Sequence, residues 1–268
     1  AWANRLITYY LKTSRTNIAL YEVQNMLKEA QEEDDKTGLS RCYNIMSQIY
    51  TIKRFDSMAF EWRLKEIELT EKYKIENYNI SQTYAQIANY YINQKKQKEA
   101  LAAVEKAIAT ANSSTQQISA KLEFVNYYSK FGDFQAAEKL LKECQAAFEQ
   151  DKRLESIKKR LYNIECLYYQ QTKQYQKALE AAKMQEKEER RLSESILSSI
   201  HYRTQGEIYQ KMGNMNLAVK YLQMYINTDD SLKIANEQVS SSEFATLLNV
   251  EKLNAEKKEL MLQAQEKE

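Results

Sequence analysis

The chain has 268 residues and a net charge of +2, with acids and bases interspersed, so no field favours a polyanion and nucleic acid is not an expected partner. It has no proline and only four glycines, which argues against a β-rich protein and for an all-helical one. No run reaches the ~18 apolar residues of a membrane span, and no signal peptide precedes Ala1, whose place at the edge of an apolar helix suggests a trimmed or mature fragment.

In chain order the apolar residues fall into pairs of amphipathic helices. Residues 4 to 36 form the first pair, with Leu6, Tyr9 and Tyr10 facing Ala19, Val23 and Met26. The acidic run Glu32 to Asp35 closes it as a solvated loop. The second pair carries Tyr43, Met46 and Tyr50, then Phe55, Ala59 and Trp62. Arg63 falls where a bulky apolar residue is expected, which predicts a one-residue slip of register. The third pair has Tyr84, Ile87, Ala88 and Tyr91, then Ala100, Val104 and Ala107, followed by a linker and helix cap at Ser113-Ser114. The fourth uses Phe124, Val125 and Tyr128, then Phe134, Ala137 and Leu141. The fifth has Tyr162, Cys166 and Tyr169, then Tyr175, Ala178 and Ala182, with Glu165 at an apolar position and Lys183 to Arg191 prolonging its second helix. The sixth places Tyr202, Gly206 and Tyr209 before a break at Gly213-Asn214, and Ala218, Leu222 and Tyr225 after it. Asp229-Asp230-Ser231 is then expected to cap a separate helix running to the end. Its apolar stripe is Leu247, Val250, Leu253, Leu260 and Leu262; its first half is expected to dock and its charged second half to project.

One spacing recurs through all six pairs. A tyrosine closes the first helix and an alanine follows nine residues later, at Tyr10 and Ala19, Tyr50 and Ala59, Tyr91 and Ala100, Tyr128 and Ala137, Tyr169 and Ala178, and Tyr209 and Ala218. Successive tyrosines stand 40, 41, 37, 41 and 40 residues apart. The pattern resembles the tetratricopeptide repeat, whose standard period is about 34 residues, with helices here a turn or so longer. The resemblance implies an all-α, right-handed superhelical solenoid of about six helix pairs over residues 1–228, with a long C-terminal capping or connector helix over 229–268.

Catalytic signatures are missing. His201 is the single histidine, and neither a nucleophile elbow nor a phosphate-binding glycine loop is present. No enzyme activity and no cofactor or metal is expected of this segment. Cys42, Cys144 and Cys166 lack metal-ligand spacing, and Cys144 and Cys166 stand where adjacent repeats meet, so a disulfide between them and two buried thiols are both open.

In the tetratricopeptide fold the first helix of each pair lines a concave groove. The positions that face it here read Asn44, Gln48, Asn89, Asn93, Asn126, Lys130, Asn163, Gln170, Arg203 and Gln210, with Ile92 and Ser129 beside them. An amide offers both a donor and an acceptor and suits an extended peptide backbone. The same amides are also what a wet concave face tolerates. They resemble the asparagine ladders of peptide-binding tetratricopeptide proteins, and not the Lys/Arg clamp of the chaperone-binding type.

The tail narrows the resemblance. Asp230-Ser231-Leu232 after the last repeat, the segment Glu243 to Leu247, and a Lys/Glu/Leu-rich helix beyond resemble the end of periplasmic sensor regions in Bacteroidetes two-component histidine kinases. That resemblance implies a membrane span and a kinase or regulatory module downstream, a periplasmic location at the inner membrane, a peptide or protein ligand in the groove, and a homodimer through the C-terminal helix. The alternatives are a cytoplasmic scaffold or adaptor for protein partners, and the sensor region of a membrane-bound transcriptional regulator.

Overall fold

The computed structural model describes residues 2–13, 15–77, 79–192 and 199–265, and among them all regular structure is helical. The helices pair in sequence order. They are α1 (Trp2–Lys12) with α2 (Thr16–Glu32), α3 (Lys36–Ile52) with α4 (Asp56–Tyr73), and α5 (Ile80–Asn93) with α6 (Gln97–Ala109). Then follow α7 (Ser114–Phe131) with α8 (Phe134–Gln150), α9 (Lys158–Gln171) with α10 (Tyr175–Leu192), and α11 (Ile200–Lys211) with α12 (Met215–Gln265). A short 3-10 helix, Lys152–Ile157, precedes α9 and buries Leu154, an element that leaves no periodic trace in the residues. Two compact units result, one of Ala1–Ile75 with Asp230–Glu268 and one of Glu76–Asp229.

The nine-residue spacing is a single turn built six times. In every pair the backbone N–H five residues after the tyrosine donates to the tyrosine carbonyl, from Arg15 to Tyr10 through Asn214 to Tyr209, at 2.8–3.0 Å. This six-to-one bond closes a helix when the residue before the donor is left-handed. That residue is Arg54 (φ 61°), Lys95 (58°), Gly132 (91°), Lys173 (59°) or Gly213 (77°); its counterpart in the first pair, Ser14, lies outside the described residues. The next helix then carries its alanine inward. Ala19, Ala59, Ala100, Ala137 and Ala178 are fully buried and Ala218 is 2% exposed. Facing them, three residues before each tyrosine, Ile7, Ser47, Ala88, Val125, Cys166 and Gly206 are buried too. Small residues there let two backbones approach; a Cβ built on Gly206 would stand 2.8 Å from Leu222 Cγ.

The tyrosines fill the space beside these contacts. Tyr209 is buried and the other five are half-buried. In the first unit Ile7, Val23, Met46 and Ile49 form the core with Tyr10, Tyr50 and Trp62 packed on it. In the second, Leu122, Val125, Leu141 and Ile164 form one cluster, and Ala178, Ala182 and Ile208 form another.

Several expectations are corrected. The register does not slip at Arg63: Ala59 and Arg63 both face inward, and Arg63, 8% exposed, donates from Nη2 to Thr51 Oγ1 at 2.6 Å. Tyr9, Phe55 and Phe134 are exposed. Phe55 and Phe134 sit at the turn that begins the second helix of each pair, and Phe55 meets the Tyr50 ring edge-on with centroids 6.4 Å apart. No helix starts at Asp229-Asp230-Ser231, because α12 runs through it unbroken. With no glycine or proline after Gly213, nothing interrupts the ladder, and Asp229 instead accepts from Ser199 Oγ at 3.1 Å. Ser113 does cap α7, accepting from the Gln116 N–H, and Asp35 in the acidic run caps α3 through Gly38. The side chains of Arg191, Leu260 and Leu262 lie outside the described residues.

Candidate functional site

Five of the expected groove amides, Asn44, Gln48, Asn89, Asn93 and Asn126, are members of side-chain chains anchored on buried carboxylates. In the first unit Gln48 Nε2 donates to Asn44 Oδ1 at 2.6 Å, and Asn44 Nδ2 donates to both oxygens of Glu66 at 3.1 and 3.2 Å. Glu66 is 1% exposed. In the second unit Asn93 donates to Asn89 at 3.0 Å and Asn89 donates to Glu123. Asn126 also donates to Glu123, and Arg160 Nη2 meets its other oxygen at 2.5 Å. A buried carboxylate is costly unless charge-paired and hydrogen-bonded, and three donors converge on this one. Gln205 with Glu186 and Gln145 with Glu165 repeat the motif at 2.7 and 2.6 Å. Burial pushes the Glu165 carboxyl above its usual range even against that hydrogen bond.

These partners decide which amides remain available. Gln48, Asn93, Lys130, Arg203 and Gln210 are exposed; Asn44, Asn89, Asn163 and Gln170 are half-buried; Asn126 is nearly buried. Ile92 and Ser129 are buried in the stack, whereas the residues after Tyr50 and Tyr209, Thr51 and Gln210, are exposed. Arg203 pairs with Glu207 one turn on, and Lys211 reaches Gln170 at 3.0 Å.

A hollow of about 480 Å³ in the second unit opens between α5, α7, α9 and α10. Of the ten expected residues it holds only Asn163. Four primary amides line it, Gln82, Gln116, Asn163 and Gln185, with hydroxyls from Ser119 and Thr115 and the cations Lys159 and Arg160. Both cations are balanced from behind, Arg160 by Glu123 and Lys159 by Glu189 at 3.0 Å. The hollow is therefore dipolar and not a strong ionic field. Arg160 Nε is buried and has no hydrogen-bond partner among the described residues. Most of this lining lies outside the positions next to the tyrosine that the sequence pattern points to. The signal was register: Gln82, Ser119 and Arg160 each stand nine residues before Tyr91, Tyr128 and Tyr169.

Glu189 also receives His201, whose Nε2 lies 2.5 Å away and whose ring is 3% exposed. Burial works to raise the Glu189 carboxyl, but the bonds from Lys159 and His201 outweigh it and hold it below the usual range. His201 is thus engaged structurally. All three cysteines are free; Cys144 and Cys166 belong to different clusters, and burial lifts the Cys42 and Cys144 thiols to about 11. Among the described residues no group of acidic, Cys or His side chains is placed to hold a metal, and no helix is long and apolar enough to cross a membrane.

No family model matches the sequence, and a search of curated proteins returns no match. Solved structures do. NprR in complex with its cognate peptide NprX aligns with a TM-score of 0.63 at 14% identity, over 83% of this chain and 64% of NprR, so the chain spans less than two thirds of that protein. A Rap protein complexed with Competence and Sporulation Factor aligns at 0.59 and 16% identity, over 93% of this chain and 74% of Rap. The nearly identical TPR-like repeats of a Podosopora anserina kinesin light chain align at 0.52 and 15% identity, over 72% and 95%. At these identities the likeness is one of fold: the chain is an all-α, tetratricopeptide-like solenoid.

Proposed function

We propose that the protein is a non-catalytic binding domain that takes an extended peptide or the extended segment of a protein partner, and that the hollow between α5, α7, α9 and α10 is its anchoring subsite. The observation that carries this is the lining. Successive first helices bring the same repeat position to one cavity, and they furnish paired donors and acceptors with little net charge, which is what a peptide backbone requires. Arg160, held by Glu123, supplies fixed donors at its wall. Asn93, Lys130, Gln170, Arg203 and Gln210 in the second unit would extend the peptide's path, and Gln48 with Asn44 would serve a contact of the first unit.

The test is a peptide array read against the purified protein, followed by anisotropy titration of the best binder. N163A with Q82A should weaken binding by roughly ten-fold, about 1.4 kcal/mol for two neutral hydrogen bonds, with the melting temperature unchanged. Unaltered affinity in that folded double variant overturns the assignment.

A finer reading is that this domain is the periplasmic sensor region of an inner-membrane two-component histidine kinase. The support is the Asp230-Ser231-Leu232 triplet, the Glu243 to Leu247 segment and the charged helix beyond. Ligand in the hollow would favour one of two arrangements, and α12 would carry that preference toward the output module, through a dimer in which the terminal helices pair. A gene encoding an apolar span of about 20 residues directly after Glu268 supports this. A stop codon there sinks it and leaves the scaffold reading.

A further inference from the structure

Glu243 opens the segment that the proposed binding role leaves unexplained, and it is 3% exposed on a helix whose neighbours are mostly in water. Its Oε1 accepts the backbone N–H groups of Asn17 and Ile18 at 3.1 and 3.2 Å, and its Oε2 accepts Asn17 Nδ2 at 2.8 Å. These are the second and third residues of α2, and the residue at that helix's own cap position, Arg15, makes no side-chain capping bond. The carboxylate therefore satisfies the orphan donors of α2 and meets the positive end of its dipole. Ser240 accepts from Asn17 Nδ2 at 2.9 Å, and Lys53, closing α3, donates to Asn17 Oδ1 at 2.6 Å. One network, built around the buried Glu243 carboxylate, ties α12 to α2 and α3.

The apolar part of this contact is not close-packed. A cavity of about 450 Å³ lies between Tyr10, Ile18 and Tyr21 on one side and Val239, Leu247 and Val250 on the other. Cavity walls forgo dispersion contacts, so the polar network supplies a large share of the attachment. We propose that the distal part of α12 is a releasable latch on the first helix pair, with Glu243 as its capping carboxylate. Docking of that helix and order in α1 and α2 then form one equilibrium. A partner that draws α12 away loosens the first pair, and a partner that clamps the first pair holds α12 in place.

Amide hydrogen exchange on the full chain tests this. E243A should speed exchange across α1 and the first turns of α2 by roughly ten-fold, the loss expected of a strong helix cap, and E243Q by less, with α5 to α9 unchanged. Unaltered exchange in α2 overturns the proposal. Should E243A fail to fold, N17C with S240C serves, because those side chains touch and the native thiols are buried. A short bifunctional thiol reagent should join the pair and slow exchange in α1 and α2. Failure to join, or joining without added protection, overturns it.

Discussion

Lys95 and Lys173 occupy left-handed backbone that glycine takes without steric cost at Gly132 and Gly213. A side chain in that region costs about 1–2 kcal/mol, of which glycine's greater unfolded freedom returns only part. Lys95→Gly and Lys173→Gly should each raise the unfolding free energy by about 0.5–1 kcal/mol, seen as higher urea midpoints at constant slope. Gly132→Ala should lower it by a similar amount. A Cβ there meets nothing within 4 Å, so the loss would come from backbone conformation alone. The thiols supply a second prediction. Cys42, Cys144 and Cys166 are at most 2% exposed, and burial holds the first two near 11 and raises the third. An aromatic disulfide reagent at pH 9 should label none of them in the native protein and all three in denaturant, because the thiolate is the reactive form.

Helix pairs are set by how closely two backbones approach. At Gly206 an added Cβ would lie 3.0 Å from Leu222 Cδ2 and 3.3 Å from its backbone nitrogen. Gly206→Ala gains up to about 1 kcal/mol of helix propensity but costs about 1–3 kcal/mol of overpacking. A net loss of about 1 kcal/mol is expected by denaturant titration. A larger residue at the alanine of the facing helix is worse: Ala178→Leu should cost more than about 3 kcal/mol, since the site is fully buried and the turn before it allows no retreat.

Within a repeat array most packing lies between adjacent pairs, so damage in the middle of the array stays local. Leu122 is fully buried in the cluster of α7, α8 and α9. Leu122→Ala should destabilise by about 2–5 kcal/mol. Exchange should rise through those helices while α3 and α4, in the other unit, keep their protection. A uniform rise over the whole chain would mean that the two units unfold as one.

How much of this was legible in advance follows from the range of each interaction. Helix pairing, the turn and the inward alanines depend on contacts within about a dozen residues, and a repeated nine-residue offset records them in one dimension. The sequence alone therefore determined the all-helical class, the six pairs and the inward alanines, but not the register at Arg63 or the unbroken run of α12. Which polar residues are spent and which are free depends on contacts between helices. Asn126 reads like Asn93 in the sequence, yet Glu123 from its own helix takes one inward while the other stays exposed. The hollow assembles residues from α5, α7, α9 and α10, and Glu243 caps a helix some 226 positions earlier. Such pairings leave no periodic trace, because a carboxylate on a helix reads as solvated until the packing of other helices removes the water around it, and only the tertiary structure decided them.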